Sequence, residues 1–196
     1  MKKYTLFLLS FLLFAISFVV FWFKDQLFNV LYLFILPVYF ILFACLVTLL
    51  VMSVVSIVKH KAYIQLVAIA VLALLVVTAV FFPFRDAKVK LDLDIYEADR
   101  MEIVEMIMDG RLRPSDNYGN INLPAGYCGI STGGSVYQYQ NDENGQVICF
   151  WVDRGFLGYA IEVVYSSEGE ELIRANRINI TRIEKLKDHW YYVFTE

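Results

Sequence analysis

Three long apolar stretches of this chain carry no charged side chain, and they constrain its fold more than any other feature: residues 4–23, 26–58 and 62–84, of 20, 33 and 23 residues. About 20 apolar residues at 1.5 Å rise cross a hydrocarbon layer of roughly 30 Å. Inside hydrocarbon every backbone amide must be satisfied within its own segment, so each stretch reads as a helix. The first and third fit one crossing each. The second, at roughly 50 Å if straight, is too long for one. Pro37 suits a first helical turn and not a helix interior, so the second crossing is expected over about 33–58. The predicted spans are therefore about 4–23, 33–58 and 62–84.

The first stretch follows Lys2 and Lys3 and includes Ala15-Ile16-Ser17, which together imitate a cleavable signal peptide. The apolar run continues through Phe18 to Phe23, however, and cleavage there would expose more greasy helix, so an uncleaved anchor is the reading. Lysines on the short flanks orient the spans. With an odd number of crossings, a cytoplasmic N-terminus puts Lys2, Lys3, Lys59 and Lys61 inside and only Lys24 in the outer loop. The expectation is a multi-pass cell-membrane protein with its C-terminal part outside the cytoplasm. The spans contain no Asp, Glu, Lys, Arg or His, which a proton relay or ion path usually needs. Ser10, Ser17, Thr48 and Ser53 read as helix-packing residues, and Ala44 with Thr48 as a small-residue step.

Charge divides the chain at the same place. Residues 1–84 hold five basic side chains and one acid, a net of +4, whereas 85–196 hold twelve basic and nineteen acidic ones, a net of −7. The overall −3 is the sum of a sparse basic anchor and an acidic domain of 112 residues, enough for its own core. A net of −7 repels phosphate, which disfavours nucleic acid as a partner.

Within the acidic part, 85–93 reads as a connector with a short strand at 89–93. Asp94 and Glu97 resemble a capping box and Gly110 a C-terminal cap. Between them Tyr96, Ile103, Val104, Ile107 and Met108 form a helical stripe interrupted by Arg100. The period then switches to two. Strands are expected over 135–140, 146–152, 158–166, 177–186 and 189–195, with a hairpin tip at 141–145 and a closing turn at Lys187-Asp188. The predicted fold is an α-helical anchor of three transmembrane helices plus a C-terminal α+β domain, one helix packed on an antiparallel meander of four to five strands. The helix-then-meander order resembles pilin headgroups in layout alone. Three spans and the want of a processing motif separate the two, and layout carries no function.

Candidate chemistry is sparse. Histidine occurs at positions 60 and 189 only. There is no nucleophile elbow, phosphate loop or metal-ligand spacing, so neither a cofactor nor a metal is expected. Cys128 and Cys149 are read either as a disulfide or as buried free thiols, with folding of the hairpin placing Cys149 opposite Tyr137 rather than Cys128. The glycine-rich segment with Tyr118, Tyr127, Ile130, Gly133 and Gly134 is the candidate contact surface, because loops carry function more often than strands. The expected function is that of a membrane protein presenting an acidic extracytoplasmic domain to a protein or envelope partner, as accessory, sensor or protective factor, without catalysis. Membrane lipid and a membrane or envelope protein are the expected partners, with a homo-oligomer open. The alternative is an envelope enzyme using Cys128 or Cys149 with His189.

Overall fold

The computed structural model describes residues 4–24, 27, 31, 35–61, 63–116, 119–140, 145–154, 159–177 and 179–195. They form two compact units, Met1–Arg85 and Asp86–Glu196.

The first unit contains helices α1 (Thr5–Trp22), α2 (Ile35–His60) and α3 (Gln65–Phe81), each packed on the other two. Leu13, Leu72 and Leu75 meet at the centre, with Phe14, Leu42, Leu46 and Leu49 around them. α1 and α2 are each long and apolar enough to cross a membrane, whereas α3 reaches that length only if counted together with the helix after it. The cause is Pro83, which disfavours helical backbone in the residue before it. Phe82 is accordingly extended, at φ −76° and ψ 125°. Of the buried hydroxyls, Ser10 donates to the Leu6 carbonyl at 2.9 Å, whereas Ser53 Oγ has no hydrogen-bond partner among the described residues.

Helix α4 (Phe84–Met108), in the second unit from Asp86 onward, begins ten residues before the capping box at Asp94. The connector and strand expected over 85–93 are helix instead. Val89 and Leu93 are almost fully buried and extend the stripe of Tyr96, Arg100, Ile103, Val104 and Ile107 at spacings of three and four. A β-like run of alternating residues and a helical stripe coincide over so few residues, and the longer-range period decides.

The sheet has six strands, not four or five: β1 (Asn120–Asn122), β2 (Ser135–Gln140), β3 (Gln146–Arg154), β4 (Ala160–Ser166), β5 (Ile180–Lys187) and β6 (Trp190–Thr195). Its order is β1-β2-β3-β4-β6-β5, antiparallel throughout. It is thus not a simple meander. A short helix, α5 (Glu170–Asn176), lies in the connection after β4 and carries the chain past the position beside β4, which β6 then takes. The exchange follows from composition. Every residue of β6 is buried, while β5 carries Arg182, Glu184, Lys185 and Lys187, the charged residues suited to an edge. The closing turn falls at Asp188-His189, and residues 141–144 of the expected hairpin tip lie outside the described residues.

Alternate residues of the strands serve two faces. Ile148, Phe150, Ile161, Val163, Trp190, Tyr192 and Phe194 pack with Val89, Leu93, Ile103, Val104 and Ile107 of α4. Val147, Cys149, Val164, Tyr191 and Val193 face the other way, where Leu172 and Ile173 of α5 cover part of them.

Candidate functional site

The segment nominated from sequence is tied down at most of its positions. Residues Ala125–Ile130 form a 3-10 helix, and its last carbonyl, that of Ile130, accepts two hydrogen bonds from Arg100, from Nε at 3.1 Å and Nη2 at 2.8 Å. Arg100 is only 1% exposed, pairs with Asp92 at 2.6 Å and lies 5.5 Å from the Phe150 ring centroid. Burial lowers its pKa while Asp92 opposes that shift. The arginine that interrupts the α4 stripe thus clamps this loop from inside. Ile130 is buried, and Tyr127 packs on the same core with its hydroxyl bonded to Glu102, which raises its pKa. Gly133 and Gly134 take positive φ, 88° and 65°, in the turn that enters β2. Ser131 Oγ donates to the Ser135 carbonyl at 2.6 Å and accepts from the Trp151 amide at 2.9 Å. Tyr118 lies outside the described residues.

Cys128 and Cys149 are both free thiols, so the disulfide considered from sequence is not formed. They occupy different environments. Cys128 is exposed on the 3-10 helix, its Sγ 3.5 Å from the Pro124 carbonyl oxygen, whereas Cys149 is fully buried in β3 with Tyr137 as its cross-strand neighbour. Burial pushes the Cys149 thiol up to about 11, Arg177 opposing the shift, so it stays protonated at neutral pH and is a poor nucleophile. His189 is not beside either cysteine. Its Nδ1 is 3.0 Å from the Ser166 carbonyl oxygen, and its ring lies against Tyr165, a residue of the face that α4 covers. Among the described residues no group of three or more His, Cys, Asp or Glu side chains is gathered as a metal site needs.

The feature that sequence reasoning missed is on the other face of the sheet. Beyond the part covered by α5 there is a concavity of about 550 Å³, within the size range of ligand pockets. Tyr137 and Tyr139 of β2, with ring centroids 4.5 Å apart, form one wall. Trp151, Arg154 and Tyr159 form another, with the Arg154 guanidinium 3.8 Å from the Trp151 ring centroid. Cys149 and Arg177 also line it. Arg177 follows α5 and reaches back to Glu162 of β4 in a two-pronged ion pair, Nη2 to Oε1 at 3.0 Å and Nη1 to Oε2. Glu162 reads in the sequence as the solvent side of an alternating strand, yet it is wholly buried under this pair. The same guanidinium lies 3.9 Å from Cys149 Sγ and 5.7 Å from the Tyr139 ring centroid. Tyr139 is raised in pKa by burial, Arg177 opposing.

Two signals pointed here. The Tyr137/Tyr139 alternation and the dense apolar run over 147–151 were legible, but that Arg177 would cross back to neutralise Glu162 depends on α5, which no periodicity announced. Compared with known protein families, curated proteins and solved structures, the chain matches none.

Proposed function

We propose that the chain is a multi-pass membrane protein whose C-terminal unit, outside the cytoplasm, binds a protein or envelope partner through the concave sheet face and catalyses no reaction. The observation that carries this reading is the composition of the concavity: three tyrosines, a tryptophan and two arginines on the part of the sheet that α5 leaves open. Tyr, Trp and Arg are the residues that dominate binding energy at protein interfaces, where they fill central, desolvated positions. The rest of the unit is more self-satisfied. Two of the three basic residues of β5 are paired with α4, Arg182 with Asp86 and Lys187 with Asp94 and Glu97, which leaves fewer acids of that helix to meet a basic partner.

The membrane part of the reading is supported by two helices long and apolar enough to cross, by a third apolar helix ended by Pro83, and by the lysines on their flanks. A binding role rather than catalysis is supported by the protonated, buried Cys149 and by the placement of His189 beside Tyr165, on the α4-covered side. The role is that of an accessory, sensor or protective factor anchored at the membrane.

Gentle detergent extraction from native membranes tests this directly. The wild-type protein is expected to run in an assembly that contains a second protein and that the double substitution Tyr137→Ala/Tyr139→Ala dissolves. A wild-type protein that runs alone, or only with copies of itself, contradicts the reading.

A further inference from the structure

We propose that the groove between α1 and α2 holds an acyl chain of an anionic phospholipid whose phosphate lies at Lys59; this rests on the membrane part of the reading above and not on the sheet face. The two helices run antiparallel. Phe21 near the end of α1 stacks on Tyr39 near the start of α2, with ring centroids 6.0 Å apart, and the groove they share reaches from Leu9 of α1 to Met52 of α2. Its volume is about 570 Å³. Along α2 it extends from Phe40 to Met52, about 18 Å at 1.5 Å rise, comparable to the roughly 15 Å of one leaflet of the hydrocarbon layer. The room comes from Ala44, Cys45 and Thr48, small side chains standing among bulky ones on α2.

The lining favours a hydrocarbon chain over another helix. Helices associate in lipid through close packing of small residues and through hydrogen bonds between helices. Here the Thr48 hydroxyl already donates to the Ala44 carbonyl at 2.8 Å. Phe40 and Ile41, 71% and 60% exposed, stand beside the small residues and keep a second backbone at a distance. A thin, flexible chain meets neither obstacle. Charge then selects the headgroup. Lys59 follows Met52 by seven residues and Ile41 by eighteen, close to two and five whole turns at about 3.6 residues per turn, so it stands on the same face of α2 as the groove. It is exposed and lies about 10 Å beyond Met52 along the helix, from where the long lysine stem extends toward the headgroup layer. An ammonium above an apolar groove is complementary to a phosphate carried on an acyl chain, and a lipid without net charge gains less from it.

The experiment uses the full chain in detergent micelles, titrated with dioleoyl phosphatidylglycerol or with dioleoyl phosphatidylcholine, and counts bound lipid by native mass spectrometry. The first phosphatidylglycerol is expected to bind about fivefold tighter than the first phosphatidylcholine, the worth of one lysine facing an anionic lipid. Lys59→Gln should remove that preference and Lys59→Arg should retain it. Ala44→Phe, which fills the groove from an exposed position, should weaken the first binding of both lipids. Thr48→Leu, a smaller filling, should act the same way to a lesser degree, and Val77→Phe at an exposed position of α3 should change nothing. Equal binding of the two lipids, a preference that survives Lys59→Gln, or binding indifferent to both groove fillings overturns the proposal. So does a wild-type dimer that Ala44→Phe dissociates, since a second copy would then fill the groove. The membrane reading fails separately. A wild type that alkaline carbonate releases from native membranes removes that reading and the lipid site with it, whereas an integral protein without lipid preference removes the lipid site alone.

Discussion

Arg177 and Glu162 hold each other in a place neither would occupy alone. Removing one partner of a buried pair strands the other charge and costs about 3–5 kcal/mol, whereas replacing both by apolar side chains is often near neutral. Arg177→Met is therefore expected to lower the unfolding free energy of the C-terminal unit by about that amount, and Arg177→Met/Glu162→Leu to recover most of it. Urea titration followed by tryptophan fluorescence measures both, and a double variant no better than the single would contradict the coupling of the two charges. Cys149 supplies a pH test. Its folded pKa is raised, so between about pH 9 and 11 the unfolded chain loses a proton that the folded chain keeps. The unfolded state then binds fewer protons, and stability falls as pH rises through that window, at a rate approaching about 1.4 kcal/mol for each pH step of one. Cys149→Ala should flatten the decline; an unchanged slope contradicts the burial of this thiol. At this scale the sequence was only partly legible. Arg100 stood out as the one charge in an apolar stripe, but nothing local said that it would turn inward and hold the Ile130 carbonyl, a contact 30 residues away.

The elements divide by how far their determinants extend along the chain. β2, β3 and β6 are encoded by alternation and apolar density within a few residues, and were legible. α4 was legible only from Asp94 onward, because over 85–93 the Val–Lys–Leu–Asp alternation fits a strand and the helical stripe becomes apparent only when Val89 and Leu93 are joined to Tyr96 and Arg100. Lys90 discriminates between the two. It is exposed and pairs with Glu184 at 3.4 Å. Lys90→Pro is expected to destabilise by about 3 kcal/mol or more, since it removes a helical hydrogen bond and clashes with the preceding turn. Lys90→Ala should cost at most about 1 kcal/mol, the worth of an exposed ion pair. Thermal unfolding by circular dichroism separates the outcomes, and near-equal effects would argue against helix at this position. The position of β6 between β4 and β5 was not legible at all, because it depends on the path taken through α5 and on which of two strands can bear an exposed edge.

On the scale of the molecule, the division between an apolar helical unit and an acidic α+β unit was written in the charge distribution, and the structure divides at Arg85. The proposed binding face was not, because it is assembled from β2, β3, the start of β4 and the residue after α5, brought together only by the sheet order. Topology belongs to this scale as well. An alkaline phosphatase fused after the last residue should be active and a fluorescent protein that matures only in the cytoplasm should be dark; the reverse pattern would place the C-terminal unit inside and remove the envelope partner. The partner is proposed to touch the open sheet face and not α4. Site-specific photo-crosslinking in native membranes, with the reactive residue placed at Tyr137 or at the exposed Ile95 of α4, tests this most directly. One discrete crosslinked species is expected from position 137 and none from position 95; crosslinking from position 95 alone, or from neither, would contradict the assignment of the binding face.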